Sequence, residues 1–446
     1  MWIVAQLGAR EHYSIACALH AAGALRALIT DFWVPPDSFW KLVPNRRLQG
    51  RFRPDLRGTP VYASNMEALC FEAAALLACD RGWGLIQRRN EWFQEQALAA
   101  LKKLNSEMPK TGMICHRGAE SRETVEPLAG PDARAKAEMR ETERRPHPPS
   151  CSQPPTLNPQ PTLFAYSFAA RRVLEFARQQ GWRTVLGQID PGPPEERIVS
   201  RLRQQHPRVG ASWAPAPPSY WENWREECRL ADKIVVNSEW SRAALQEEGV
   251  PPEKLAVVPL AFEPPAEAEG FARSYPPAFT EERPLRVLFL GQVSLRKGVA
   301  ELIEAVRLLR GRPVRFEVVG PLQVRVPEEL RRDPQVHWAG PVARGAAAEH
   351  YRRADVFLFP THSDGFGLTQ LEAQAWRLPI VASRFCGDVV RDGANGLVLP
   401  EVTGAAVAAA LERCLRDPGL LSGFAQNARP ASEFSLARLA ERLLAL

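Results

Sequence analysis

At 446 residues, with 45% hydrophobic and 24% charged residues, the chain is globular and too long for one ordinary core, so two domains are expected. No apolar run approaches the roughly 18 to 20 residues that cross a bilayer, and the eight cysteines, with no Cys-x-x-Cys pair and no recurrent spacing, read as reduced thiols rather than zinc ligands. The formal charge of +6 comes mainly from arginine, a bias that also arises in the coding sequence, so it makes no case for a nucleic-acid partner.

The first 30 residues read as strand (WIVAQL), glycine turn (GAREHY), an Ala/Leu-rich helix to about Ala24, and strand (LRALITDFWV), the opening of a parallel α/β sheet. MWIVAQLGAR has no basic lead, so it reads as a first strand rather than a signal peptide, and a cytoplasmic location is expected. In 41–57, Lys41, Arg46, Arg47, Arg51, Arg53 and Arg57 face only Asp55, with Phe32, Trp33, Phe39 and Trp40 alongside. Two readings stay open there: a solvated basic loop, or a contact with an anionic acceptor or the inner face of a membrane. Residues 105–161 are polar, proline-rich and aperiodic, which predicts an extended or disordered insertion.

TLFAYSFAARRVLEFARQQGW then reads as an amphipathic helix, followed by the strand RTVLGQID and, to about residue 262, helix, strand, helix, strand. Proline and glutamate crowd 263–284, the expected linker between domains 1–262 and 285–446. The second domain restarts the alternation with RVLFLGQVS, a helix from Gly298 to Arg310, VRFEVVG, VHWAG, ADVFLFP, LTQLEAQAW, PIVAS and GLVLP. Two Rossmann-like, doubly wound parallel-sheet domains facing a cleft are expected, with ligands at strand C-terminal ends.

Two motifs in the second domain carry chemistry. GQVSLRKG (291–298) follows a strand and opens a helix, which puts Arg296 and Lys297 at a helix N-terminus suited to a diphosphate. THSDGFGLTQLEAQAWRLPIVAS (361–383) places Asp364 and Glu372 across a glycine-flanked helix start, where unpaired N–H groups point outward. His12, His20, His116 and His147 lack ligand-like spacing. Trp213, Tyr220, Trp221 and Trp224 could stack on a sugar, but burial is the commoner fate of such residues, and the glutamates of WREEC (224–228) read as a solvated helix face.

Taken in order, ADKIVVNSEWSRAAL, EKLAVVPLAFEP, FLGQVSLRKGVAELIEA, ADVFLFPTHSDGFGLTQLEAQAWRLPIVAS and VVRDGANGLVLP make residues 220–400 resemble glycosyltransferase family 4, retaining enzymes of the GT-B fold. The resemblance implies an N-terminal acceptor domain, a C-terminal donor domain and a nucleoside diphosphate sugar as donor. The acceptor would be a hydroxyl of a glycan, lipid or small molecule, with neither cofactor nor metal. It implies that Arg296 and Lys297 hold the diphosphate, Glu372 binds the ribose, and Asp364, Gly365, Phe366, Gly367 and Leu368 surround the donor sugar and phosphates. Gly320 and Pro321, and His337 with Trp338, fall where the family approaches the base, and the loop Gly8, Ala9, Arg10 would close over the diphosphate.

Three departures stand out: Asp364 where glutamate is commoner, Gln292 where arginine is commoner, and no N-domain histidine, for which Gln188 and Asp190 are the candidate substitutes. A catalytically idle nucleotide-sugar-binding or scaffold subunit and a GT-B-fold nucleotide-sugar epimerase are the alternatives to a transferase.

Overall fold

The structure, a computed structural model, describes residues 1–43, 48, 50–108, 160–210 and 213–446. The expected insertion at 105–161 falls almost wholly outside the described residues, as do Arg46, Arg47, His116 and His147. The chain divides into two compact units, Met1–Leu101 with Gln160–Leu446, and Lys102–Pro159. The described part of the second, 102–108, contains the end of helix Gly82–Ser106, where the Ser106 hydroxyl donates to the Lys103 carbonyl at 2.7 Å.

Two parallel sheets organise the first unit. Among the described residues the first has seven strands, Trp2–Gln6 (β1), Leu25–Thr30 (β2), Val61–Ala63 (β3), Thr162–Tyr166 (β4), Arg183–Gly187 (β5), Lys233–Val236 (β6) and Leu255–Val257 (β7), ordered β3-β2-β1-β4-β5-β6-β7. The second has six, Leu285–Leu290 (β8), Val314–Val319 (β9), Val336–Gly340 (β10), Val356–Phe359 (β11), Ile380–Ala382 (β12) and Gly396–Val398 (β13), ordered β10-β9-β8-β11-β12-β13. Helices cover both faces of such sheets, so their central strands are mostly apolar, and β1, β4 and β11 are buried at every position. The strand order reverses between β1 and β4 and again between β8 and β11. Those two switch points open crevices at the carboxyl ends of the strands. This is the GT-B architecture.

The sheets correct one expectation. TLFAY is not the start of a helix but β4, paired in register with β1 (Val4 beside Phe164) and β5 (Phe164 beside Val185); the helix begins only at Arg171. A short run that is apolar on both faces has neither a two-residue nor a 3.6-residue period, so pattern alone cannot separate buried strand from buried helix.

The C-terminal helix departs from the expected division at 285–446. Leu439, Ala440 and Leu443 of helix Leu436–Leu444 lie in the core of the first sheet with Leu19, Leu28 and Phe164, against helix Ser14–Ala21. The chain therefore passes between the sheets twice, and the Phe262 N–H donates to the Phe434 carbonyl at 2.9 Å where the crossings meet. The 263–284 segment is strapped down rather than slack. Arg273 donates to the carbonyls of Tyr351 (2.8 Å) and Trp376 (3.0 Å), Tyr275 to that of Asp355 (3.0 Å), and Arg283 holds the Asp355 carboxylate with two bonds of 2.6 Å.

The WREEC glutamates also divide. Glu226 pairs with Arg229 at the surface, but Glu227 is 1% exposed and accepts from the N–H groups of Phe168 (2.7 Å), Ala170 (2.7 Å) and Arg171 (3.2 Å). A carboxylate from one helix thus caps the N-terminus of another, Arg171–Gln179, which has no cap of its own. Glu227→Ala is expected to lower the unfolding free energy by roughly 2 to 4 kcal/mol, because it orphans three donors, that of Ala170 fully buried. Glu226→Ala should change it by less than about 0.5 kcal/mol. Urea unfolding midpoints of the two variants check the difference.

Candidate active site

The turn after β8 runs from Gly291 to Gly298 into helix Val299–Leu308, whose Val299, Leu302, Ile303 and Val306 bury against the second sheet. Its backbone is braced by the neighbouring strand end: the Arg296 carbonyl accepts from the His362 N–H at 2.8 Å and the Thr361 hydroxyl at 3.2 Å. Arg296 Nη1 returns a bond of 2.7 Å to the Ser363 carbonyl, and Lys297 Nζ pairs with the Asp364 carboxylate while lying 5.1 Å from the centre of the Phe359 ring. Arg296 and Lys297 line a cavity of about 250 Å³ with Gly291, Gln292, Phe359 and Thr369. Burial pushes the Asp364 carboxyl up, but the Lys297 and Arg296 charges outweigh it and hold the group below its usual range. Asp364 is thus the counter-ion that aims Lys297.

The carboxylate motif follows β11. Gly367 caps helix Leu368–Ala375 at φ +85°, and a Cβ there would lie 2.6 Å from the Phe359 ring, so only glycine lets the chain turn this tightly. Phe366 is buried against Phe434, 6.1 Å between ring centres, so it offers the site backbone rather than its ring; Leu368 is half-buried. Glu372, on the first turns of the helix, accepts from the Tyr351 hydroxyl at 2.7 Å, a buried partner that sequence spacing did not indicate. Gly320 sits at the end of β9 and donates to the Gly340 carbonyl at 2.8 Å. His337 is not drawn into this group: it is the second residue of edge strand β10, its side chain is 73% exposed, and its nearest charged neighbour is Glu317 at 3.8 Å.

The first sheet presents its own loops here. Gly365 packs so closely on the 189–190 backbone that a Cβ would lie 2.6 Å from the Ile189 carbonyl, and its own carbonyl accepts from the Ser241 hydroxyl at 3.3 Å. Gln188 does not face the cavity: it is 2% exposed, with Oε1 accepting from Trp224 (3.0 Å) and Nε2 donating to the Asp190 carbonyl (2.9 Å). Asp190 does lie at the site. Burial raises its carboxyl pKa, opposed by the Gly192 N–H (2.9 Å from Oδ1) and by the nearby Arg296 and Arg10 charges.

Glu195 is a residue that the sequence reading passed over. It approaches Arg296 at 3.4 Å and accepts from the Ser363 hydroxyl at 2.8 Å. Its place behind Pro193 and Pro194, in the first turn of helix Pro193–Gln205, matches an ordinary helix-start acid, so spacing gave no signal.

Gly8 donates to Asp31 Oδ1 at 3.0 Å, an acceptor shared with Arg51 Nη1 at 2.9 Å. After Gly8, Glu11, His12 and Tyr13 adopt φ values of 49°, 53° and 63°, a left-handed run rare for side-chain-bearing residues. Glu11 is pushed up to about 7 by burial, against the pull of the Tyr166 hydroxyl at 3.0 Å. In the basic stretch Arg51 pairs with Asp31, and Arg53 with Asp55 (2.5 Å) and Glu263 (2.6 Å), so the fold neutralises charges that composition leaves bare. Among the described residues no helix is long and apolar enough to cross a membrane.

Gly367→Ala is expected to cost roughly 2 to 4 kcal/mol, from a left-handed φ combined with the ring overlap, and to be read as a fall in melting temperature.

Residues 284–417 match the family described as "Glycosyl transferases group 1". Among curated relatives, the D-inositol 3-phosphate glycosyltransferase of Kineococcus radiotolerans is 33% identical over 52% of this chain and 60% of its own length. The alpha-D-kanosaminyltransferase of Streptomyces kanamyceticus is 27% identical over 55% of this chain and 67% of its own. The chain spans a little over half the length of the first D-inositol 3-phosphate glycosyltransferases it matches, 60%, 52% and 54%. Sucrose-phosphate synthase from Thermosynechococcus elongatus superposes with a TM-score of 0.57 at 16% identity, over 100% of this chain and 97% of that one. HepE of Anabaena, solved in complex with UDP, does so with a TM-score of 0.55 at 14% identity, over 100% and 99%. The chain as a whole thus has the GT-B fold, and its segment 284–417 matches the group 1 glycosyl transferases.

Proposed function

We propose that the protein is a retaining glycosyltransferase of family 4 that moves a sugar from a nucleoside diphosphate sugar to a hydroxyl acceptor. The observation that carries this reading is the convergence of Arg296, Lys297 and the glycine-capped start of helix Leu368–Ala375 at the carboxyl ends of adjacent strands β8 and β11. Two fixed cations and outward N–H groups suit a diphosphate better than any other common ligand group. The similarity of 284–417 to group 1 glycosyl transferases supports the same assignment.

In this scheme Arg296 offers its planar donors to one phosphate, and Lys297, aimed by Asp364, neutralises the oxygen that leaves the anomeric carbon. Glu372 accepts from the ribose hydroxyls, its carboxylate steadied by Tyr351. The acceptor hydroxyl attacks from the face the diphosphate leaves. As its oxygen bonds to the anomeric carbon and the bond to phosphate breaks, its proton passes to the departing phosphate oxygen, which preserves the anomeric configuration. Each step draws on donor, acceptor and side chains alone. The first sheet holds the acceptor and, in closing, keeps water from the donor.

Uridine diphosphate sugars are the first donors to test, since HepE was solved with UDP. A glycan, a lipid or a small molecule such as an inositol phosphate is the acceptor class, the last because several relatives bear that name. We place the enzyme in the cytoplasm. With Arg51 and Arg53 engaged by carboxylates, Lys41 and Arg57 are the exposed described cations left to 41–57 for a peripheral membrane contact.

A thermal-shift panel of uridine, guanosine and adenosine diphosphate sugars is expected to contain one that raises the melting temperature through binding to the native state. Shifts with none would count against the assignment. Arg296→Ala and Lys297→Ala are each expected to lower kcat by about 100-fold or more. Tyr351→Phe should raise the donor KM by about three- to tenfold with kcat near its original value, because it frees Glu372 without touching the leaving group.

A further inference from the structure

The charges packed around Arg296 do not balance for an anionic ligand. Asp190, Glu195 and Asp364 face Arg296 and Lys297 in a largely buried cluster, and the Arg10 charge acts on Asp190 from further off. Three carboxylates already face the two cations, Arg296 and Lys297, that a diphosphate would need. A donor bringing two more negative charges into this low-dielectric space requires one carboxylate to give way.

The three are not equally free to do so. Asp364 is paired with Lys297, and its N–H is fixed to the Phe385 carbonyl at 2.9 Å. Asp190 is tied to the Gly192 N–H at 2.9 Å. Among the described residues Glu195 is held by the Ser363 hydroxyl at 2.8 Å and by a contact of 3.4 Å to Arg296, longer than the bonds that tie the other two. Its neighbour Glu196 is locked by Trp221 (2.6 Å) and the Ala216 N–H, so the first turn of the helix stays in place when Glu195 moves. The other groups on this face are committed: Trp240 donates to Ser363 Oγ at 3.1 Å, and His362 turns away to Glu301 at 2.8 Å.

We propose that Glu195 is a built-in competitor for Arg296, which the donor diphosphate displaces with uptake of one proton, so that Glu195 sets donor affinity and makes it fall as pH rises. The inference rests on the donor-site reading above. Burial pushes the Glu195 carboxyl up to about 7, opposed by Arg296 and reinforced by Asp190, so its charge changes within the physiological range. Below that value it is neutral and leaves Arg296 to the ligand. Above it, the carboxylate holds the guanidinium and must take up a proton before the diphosphate can replace it.

Uridine diphosphate glucose is a suitable probe, because its diphosphate is esterified at both ends and keeps a constant charge between about pH 6 and about pH 8. Calorimetric titrations of the full chain in two buffers of different ionisation heat report affinity and proton uptake together. The wild type is expected to bind about tenfold more weakly at about pH 8 than at about pH 6, and to take up protons near pH 7. Glu195→Gln should bind at both pH values about as tightly as the wild type does at the lower one, without that uptake, and should lower the donor KM rather than raise kcat. Weaker binding by Glu195→Gln, or a wild-type affinity indifferent to pH, overturns the proposal and makes Glu195 a strut between the sheets. Arg296→Ala separates the two readings: if it binds the probe as the wild type does, the donor site itself is misassigned. Binding by none of the three chains, to this probe or to the guanosine and adenosine diphosphate sugars of the panel, overturns both.

Discussion

The pairing of Lys297 with Asp364 is the interaction on which the site depends. It joins the turn after β8 to the loop after β11, the two strand ends that flank the reversal in the order of the second sheet. Other contacts reinforce that join. The Arg296 carbonyl accepts from His362 and Thr361, and Arg296 donates to Ser363, which holds the two loops edge to edge. A buried ammonium and carboxylate gain little net free energy from meeting, since desolvation offsets much of their attraction. Their value lies in geometry: breaking the pair leaves an uncompensated charge, so the loops have one arrangement and the guanidinium beside them one direction.

Legibility followed the physics of each half. In the second domain strand, glycine turn and helix repeat in short, strongly patterned steps, and a motif at a strand end stands at the mouth of the sheet whatever the surrounding loops do. The places of Arg296, Lys297 and Asp364 at neighbouring strand ends follow from that pattern, with Lys297 paired to Asp364 and Arg296 bonded to Ser363. That of His337 does not, because a residue within a strand needs its register before its place is known, and β10 carries it on an exposed edge.

The first sheet was less legible because its contributions arrive by long-range packing. Glu195 and Glu227 occupy positions on their helices that a surface acid would occupy, and only the partner, Ser363 or the 168–171 backbone, shows that they are buried links. Gln188 stood at the expected strand end, yet its amide is consumed by Trp224 and the Asp190 carbonyl. A one-dimensional pattern can place a residue at the mouth of a sheet; it cannot say whether its hydrogen-bonding capacity is already spent.

The return of helix Leu436–Leu444 to the first sheet bears on how the molecule comes into being. Leu439, Ala440 and Leu443 complete an apolar core begun by residues near Val4 and Leu19, more than 400 positions earlier in synthesis. Until those last turns emerge from the ribosome, the first helix lacks part of the surface it packs against, so the N-terminal half cannot finish folding ahead of the half that follows it. The order of synthesis and the order of folding are thereby uncoupled.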